Sequence, residues 1–246
     1  MTLPVYYCAD LPDGGEVELL GEEARHAHVK RTTVGERIDL VDGDGGRVTV
    51  EVTGVSPSSL RGTIIGRRVD PRPEHPITLV QALAKGGRDE AAIESAVEVG
   101  VAGIVPWQAD RSIVRWSGPK GEKGAAKWRH VALSAMKQSR QAFLPDGSDV
   151  VTSRQLNDRA RSVTQAGGRV FICHETATST LSSVTVGGPG PLWIIVGPEG
   201  GISEEELAGL VAAGGEPVLL GTSVLRSGTA GTVAATILQV ISGTWR

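Results

Sequence analysis

Residues 194–207 read IIVGPEGGISEEEL. An apolar run stops at Gly197, the turn Gly197-Pro198-Glu199-Gly200-Gly201 follows, and an acidic segment opens at Ser203. Ser203 with Glu206 three residues on is a capping-box pattern, which predicts a helix start. Leu207, Leu210 and Val211 give that helix an apolar face, and Gly214-Gly215 ends it. The stretch therefore reads as strand, glycine turn and helix, the repeating unit of an α/β domain. Such turns often hold phosphate at the positive end of the helix. Here Glu204, Glu205 and Glu206 already complement that end, Glu199 repels an anion, and there is neither GK[ST] nor G-x-G-x-x-G. These features argue against a nucleotide triphosphate or dinucleotide here. The turn either receives a ligand that is uncharged or cationic at this point, or is a tight connection and nothing more.

Outward from this unit the same rhythm holds. ITLVQALA (77–84), GIVPW (103–107), VFIC (170–173), LWIIVG (192–197) and PVLLG (217–221) are short apolar runs suited to buried parallel strands. Helical patterns separate several of them: RDEAAIESAVEVG (88–100), AAKWRHVALSAMKQSRQA (125–142) and the almost wholly apolar TAGTVAATILQVIS (229–242). Upstream of residue 70 the chain changes character. RIDLVDGDGGRVTVEVTGV (37–55) alternates on both sides of a glycine-rich turn, which is a hairpin signal. SLRGTIIGRRV (59–69) reads as a further strand and GEEARHAHVKR (21–31) as a helical turn, so a small β-barrel is expected. DPRPEHP (70–76) is a linker, because its prolines break both ladders and helices.

The chain of 246 residues carries a formal net charge of −3 and only two cysteines, Cys8 and Cys173. That cysteine count makes neither a disulfide framework nor a metal cluster and fits a reducing cytoplasm. No signal peptide is legible in MTLPVYYCAD, and no apolar run reaches membrane-spanning length. The charge is unevenly spread. Between residues 111 and 140, Arg111, Arg115, Lys120, Lys123, Lys127, Arg129, Lys137 and Arg140 stand against Glu122 alone, a balance of +7. This segment is either a phosphate-attracting surface or a solvated helix and loop. Trp107, Trp116 and Trp128 lie in or beside it and either stack on bases or pack in the core.

Two further loops follow apolar runs. In FICHETATSTL (171–181), His174 and Glu175 sit just beyond a strand end, where α/β domains place ligands. No H-E-x-x-H accompanies His174, so no metal is expected, and Cys173 is read as a packing residue. In VLLGTSVLRSGTAGTVAA (218–235), Arg226 stands isolated between glycine turn and buried helix. It either pairs with one of the acids or faces an anionic substrate.

IIVGPEGGISEEEL (194–207) and LLGTSVLRSGTA (219–230), with AIESAVEVGVAGIVP (92–106) and DRSIVRW (110–116), resemble the SPOUT class of S-adenosylmethionine-dependent RNA methyltransferases. More narrowly, they resemble the bacterial family that methylates N3 of a uridine in the 16S ribosomal RNA of the small subunit. The resemblance spans essentially the whole chain. It implies a PUA-like, RNA-binding β-barrel over 1–72 and a SPOUT α/β domain with a deep trefoil knot over 73–246, in a cytoplasmic homodimer. It also implies an S-adenosylmethionine pocket lined by His174, Glu175, Val196, Gly197, Glu199 and Gly200, together with Leu220, Gly221, Val224, Leu225, Arg226 and Thr229. Arg226 and Glu199 are the expected catalytic groups. Ribosomal RNA is expected to be held by Arg25, His28, Lys30, Arg31, Arg111, Arg115, Lys127, Arg129 and Arg140.

The chain departs from the family pattern at Thr222, where a proline is frequent, and at Gly228, where a glutamate is common. Its KQSRQAFLP (137–145) also lacks the usual glycine before the arginine. Two other readings compete: a methyltransferase of the same fold acting on another RNA or on a ribose 2′-hydroxyl, and a non-catalytic RNA-binding ribosome assembly factor.

Overall fold

The computed structural model describes residues 3–245; Met1, Thr2 and Arg246, at the ends of the two expected domains, lie outside the described residues. The chain forms two compact units, one comprising the residues up to Arg72 together with Leu133–Leu144, the other Pro73–Ala132 together with the residues from Pro145 onward.

The first unit contains β1 (Val5–Tyr7), β2 (Glu16–Leu20), α1 (Gly21–Val29), β3 (Arg37–Val41), β4 (Gly46–Val55) and β5 (Ser59–Val69). The sheet runs β1-β3-β4-β5-β2, antiparallel except where β1 joins β3. The expected hairpin is β3–β4. Its turn is set by Asp42, whose Oδ1 accepts from the amides of Asp44 (2.7 Å) and Gly46 (2.9 Å), while Gly43 and Gly45 take left-handed φ of 86° and 98°. Alternation sends Ile38, Leu40, Val48, Val50, Val52 and Leu60 into one core, which Tyr6 and Ala27 of α1 help to close.

Leu133–Leu144 joins this unit through backbone bonds that no hydrophobic period marks. The Gly45 amide donates to the Ala142 carbonyl (3.1 Å), and the Leu144 amide to the Gly43 carbonyl (2.8 Å). Arg47, buried, satisfies its guanidinium on Asp39 (3.0 Å), Asp70 (2.9 Å) and the Arg140 carbonyl (3.0 Å). A buried guanidinium is tolerated only with such complete pairing.

The second unit contains β6 (Ile77–Ala82), α2 (Arg88–Glu98), β7 (Gly103–Gln108), α3 (Gly118–Gln138, whose last residues belong to the first unit), β8 (Asp146–Gly147), β9 (Val151–Thr152) and α4 (Ser153–Gln165). β10 (Arg169–Cys173), β11 (Leu192–Val196), α5 (Glu204–Ala212), β12 (Glu216–Val218) and α6 (Ser227–Ile241) complete it. All strands are parallel, in the order β12-β10-β11-β6-β7-β8, with β9 also on β7. The α/β class read from the sequence is the one observed. Because the strands are parallel, the C-terminal ends of β6, β10, β11 and β12 open on one edge, where ligands of such sheets bind.

Val80, Val105, Trp107, Ile172, Ile195 and Leu210 fill one side of the sheet. On α6, Ala230, Ala234, Ala235 and Leu238 are buried as its apolar sequence requires. Gly231 lets that helix approach β6 closely: a Cβ there would lie 2.9 Å from Leu79. The expected strand over 217–221 is shorter, ending at Val218. Leu219 leaves the sheet to exchange bonds with the 179–181 segment, its amide donating to the Ser179 carbonyl and its carbonyl accepting from the Leu181 amide (2.8 Å each).

Trp116 and Trp128 pack edge to face at 5.3 Å between ring centres, and Trp107 is fully buried. The tryptophans are core residues, not an exposed stacking platform. Among the described residues no helix is long and apolar enough to cross a membrane.

Candidate functional site

A cleft of about 840 Å³ opens at the C-terminal ends of β10, β11 and β12. Three segments wall it: residues 173–175, residues 196–202 and residues 218–227, with Arg88, Arg111 and Ala230 adding to the rim. His174, Glu175, Val196, Gly197, Glu199, Gly200, Leu220, Gly221, Val224, Leu225 and Arg226 all line it. Thr229 does not; it lies exposed on the first turn of α6. The three loops converge because β10 lies between β11 and β12 in the sheet, a neighbourhood that sequence order hides.

The capping box at the start of α5 forms as its spacing demands. Ser203 Oγ accepts from the Glu206 amide (3.2 Å), and Glu206 Oε2 accepts from the Ser203 amide (3.0 Å). Buried Glu206 does more than cap: its Oε1 also accepts from the Asp110 amide (2.8 Å) and the Ser153 hydroxyl (2.6 Å). One carboxylate thus ties the end of the glycine turn to the loop after β7 and to the start of α4. At the other end of the turn, a Cβ on Gly197 would lie 2.6 Å from Ile202, so only glycine fits there.

The charged groups divide into paired and unpaired. Glu199 Oε1 accepts from Arg88 Nη1 at 2.9 Å, a partner with no marking in the sequence pattern. Arg111 Nη1 donates to the Gly200 carbonyl at 3.1 Å, which draws this residue of the basic segment to the rim of the cleft. Arg226 caps the N-terminus of α6 in extended backbone and makes no side-chain hydrogen bond or ion pair among the described residues. Of the two alternatives for Arg226, pairing with an acid is not the one observed.

His174 Nδ1 meets Thr176 Oγ1 at 2.9 Å and accepts from the Thr176 amide, which leaves the ring proton on Nε2. Desolvation pushes the thiol of Cys173, half-buried at the cleft wall, up to about 12, which keeps it protonated near pH 7. Among the described residues no group of three or more His, Cys, Asp or Glu is arranged to hold a metal.

The remaining basic residues are spread over both units. Arg25 and His28 lie exposed on α1, with exposed Lys30 and Arg31 just after it; Arg31 takes a left-handed φ of 58°. On α3, Arg129 is exposed and Lys127 pairs with Glu90 at 2.6 Å. Arg115 donates to the Asp110 carbonyl (2.8 Å), and Arg140 is exposed in left-handed backbone (φ 62°).

A parallel α/β unit whose glycine-walled cleft lacks any phosphate loop, carried on the same chain as a small strand-rich unit, defines a class that comparison makes specific. A family model described as an RNA methyltransferase domain matches residues 71–239, and one described as an RNA methyltransferase PUA domain matches residues 19–65. The ribosomal RNA small subunit methyltransferase E of Mycobacterium tuberculosis is 38% identical over 247 residues, covering 100% of this chain and 94% of the relative. That of Bacillus subtilis is 29% identical over 222 residues, 86% of this chain and 85% of the relative. The chain belongs to this family of ribosomal RNA small subunit methyltransferases. A crystal structure of the Neisseria gonorrhoeae methyltransferase E, bound to S-adenosyl methionine, superposes with a TM-score of 0.87 at 27% identity, covering 97% of this chain and 98% of that one. The family resemblance read from the paired glycine loops agrees with these findings.

Proposed function

We propose that the protein transfers a methyl group from S-adenosylmethionine to N3 of a uridine in 16S ribosomal RNA. The observation that carries this reading is the cleft itself: glycine backbone and two carboxylates on its walls, and one unpaired guanidinium, Arg226, at its edge. Its volume lies in the usual range for small-molecule sites. The lining suits the methyl donor's chemistry. Val196, Ile202, Val218 and Leu220 offer apolar surface to an adenine. Glu175 would offer negative charge to a sulfonium, and His174, Gly197, Glu199, Gly200, Gly221, Val224 and Leu225 complete the wall.

When bound, S-adenosylmethionine supplies an electrophilic methyl group whose transfer leaves a neutral thioether. The chain's own residues prepare the acceptor. Uridine N3 carries a proton and lies on the pairing edge of the base, so the target is read unpaired or flipped out. Arg226 stabilises the negative charge that develops on the uracil as that proton leaves. Glu199, with Oε2 uncommitted among the described residues, accepts the proton or orients the ring. Arg111 and Arg115, with Lys127, Arg129 and Arg140, hold the surrounding phosphates, and Arg25, His28, Lys30 and Arg31 of the PUA-like barrel extend that grip. The cytoplasm, a homodimer and a deep trefoil knot in the domain over 73–246 complete the reading. Its supports are the family pattern, the free cysteines and the apolar side chains of Val211 and Val240 exposed on α5 and α6.

Arg226→Ala tests the assignment: turnover on small-subunit RNA should fall roughly 100-fold, the scale of one lost charge-stabilising donor. Calorimetric affinity for S-adenosylmethionine should stay nearly unchanged, and near-normal turnover removes Arg226 from the mechanism.

A further inference from the structure

The geometry points to Arg88 as a positioning residue of the methyl-transfer site, one that fixes the Glu199 carboxylate for the base; this rests on the function proposed above. The argument begins in the sheet. β6 lies beside β11 in parallel register, Gln81 against Val196, so the segments that follow them leave the sheet side by side. After β6 come Gly86 and Gly87, both left-handed (φ 71° and 75°), and they turn the chain sharply into α2 with Arg88 as its first residue. After β11 comes the turn that carries Glu199. The two charges, 111 residues apart in sequence, meet at 2.9 Å on the rim of the cleft.

The pair is not built for stability. Arg88 is 54% and Glu199 31% exposed, and exposed ion pairs contribute little to folding. What it does is remove freedom. Arg88 engages Oε1 alone, leaving Oε2 as the acceptor that an incoming base can meet. A carboxylate free to rotate on an exposed loop would lose that alignment.

Position 228 adds an independent observation. A side chain there would start 3.3 Å from the Arg88 carbonyl oxygen, so the first turn of α6 and the start of α2 lie against each other. With glycine at 228, that contact adds no side chain beside Arg88, whose guanidinium donates to Glu199.

The test combines Arg88→Ala, Arg88→Lys, Glu199→Ala, the double alanine variant and the charge-swapped pair Arg88→Glu with Glu199→Arg. Labelled methyl transfer to small-subunit RNA from cells lacking the protein is measured at saturating RNA, and S-adenosylmethionine affinity by calorimetry. Arg88→Ala is expected to lower kcat roughly 100-fold, the cost of a misplaced reacting group, with melting temperature unchanged. Arg88→Lys should recover part of that loss. The double alanine variant should be no slower than Glu199→Ala alone, because both act through one carboxylate. The charge swap should stay slow.

Additive losses, a swap that restores the rate, or Arg88→Ala within about twofold of the parent would overturn the proposal. If the parent protein itself transfers no methyl group to this RNA, the functional reading fails and this inference with it. A transferring parent with an indifferent Arg88 sinks the inference alone.

Discussion

Replacing Glu206 by alanine tests the idea that one buried carboxylate builds the glycine-turn wall. Glu206 accepts from the Ser203 amide at 3.0 Å, the Asp110 amide at 2.8 Å and the Ser153 hydroxyl at 2.6 Å. Each donor is partly buried, so water recovers some of the lost bonding, and about 1 kcal/mol per donor is the appropriate scale. The expected destabilisation is therefore about 3 kcal/mol, or a fall in melting temperature of roughly 6–12 °C for a chain of this size. Ser203→Ala removes the cap acceptor and a long donation from Ser203 Oγ to Asp110 Oδ2 (3.4 Å), and should cost about 1 kcal/mol. Scanning calorimetry of both variants gives the ratio directly. Titration with S-adenosylmethionine adds a second readout, since Ser203 and Asp110 flank the cleft wall: Glu206→Ala should weaken binding and Ser203→Ala much less. If Glu206→Ala melts no lower than Ser203→Ala, the carboxylate is not the tie described, and the reasoning is refuted.

The two glycines on opposite walls should respond differently to alanine. At Gly197 the added methyl would lie 2.6 Å from Ile202, so the turn must shift, and both melting temperature and cofactor affinity should drop. At Gly221 it meets nothing within 4 Å, so stability should hold and only ligand affinity should respond; equal melting losses would contradict this. The Cys173 thiol, raised from 9.0 to about 12, should resist iodoacetamide at pH 8 in the native protein, as peptide mass mapping would reveal. A raised thiol stabilises the fold fully below the unfolded value near 9, and that contribution is lost as pH climbs from about 9 toward 12.

The parts of this protein that sequence made legible are the local ones. A glycine turn, a capping box four residues long and apolar runs of strand length announce themselves within a window, and they located β6, β7, β10, β11, α2, α5 and α6. α4 is marked only by a narrow stripe, Leu156, Ala160 and Val163 at i, i+4 and i+7 behind a Thr152–Gln155 capping box, in an otherwise polar sequence. β8 and β9, two residues each, are too short for a period. The attachment of Leu133–Leu144 to the first unit rests on backbone bonds to a hairpin turn, which side-chain patterning does not encode.

The same distinction runs through the cleft. The residues of its three walls are contiguous in sequence, whereas Arg88 reaches Glu199 only because β6 and β11 are neighbours in the sheet. Arg111 was legible as basic, but not as a residue bonded to the glycine turn. The tryptophans illustrate the opposite error: their company of lysines and arginines hints at RNA, while their size places them in the core.

The central claim is the chemistry at a uridine. Nucleoside mass spectrometry of 16S ribosomal RNA, from cells lacking the protein and from the same cells supplied with it, tests this most directly. The account predicts that 3-methyluridine is absent without the protein and returns at one site with it, and that the Arg226→Ala variant restores it far more slowly. A methyl mark on a ribose hydroxyl or another base, or a level of 3-methyluridine indifferent to the protein, would contradict it.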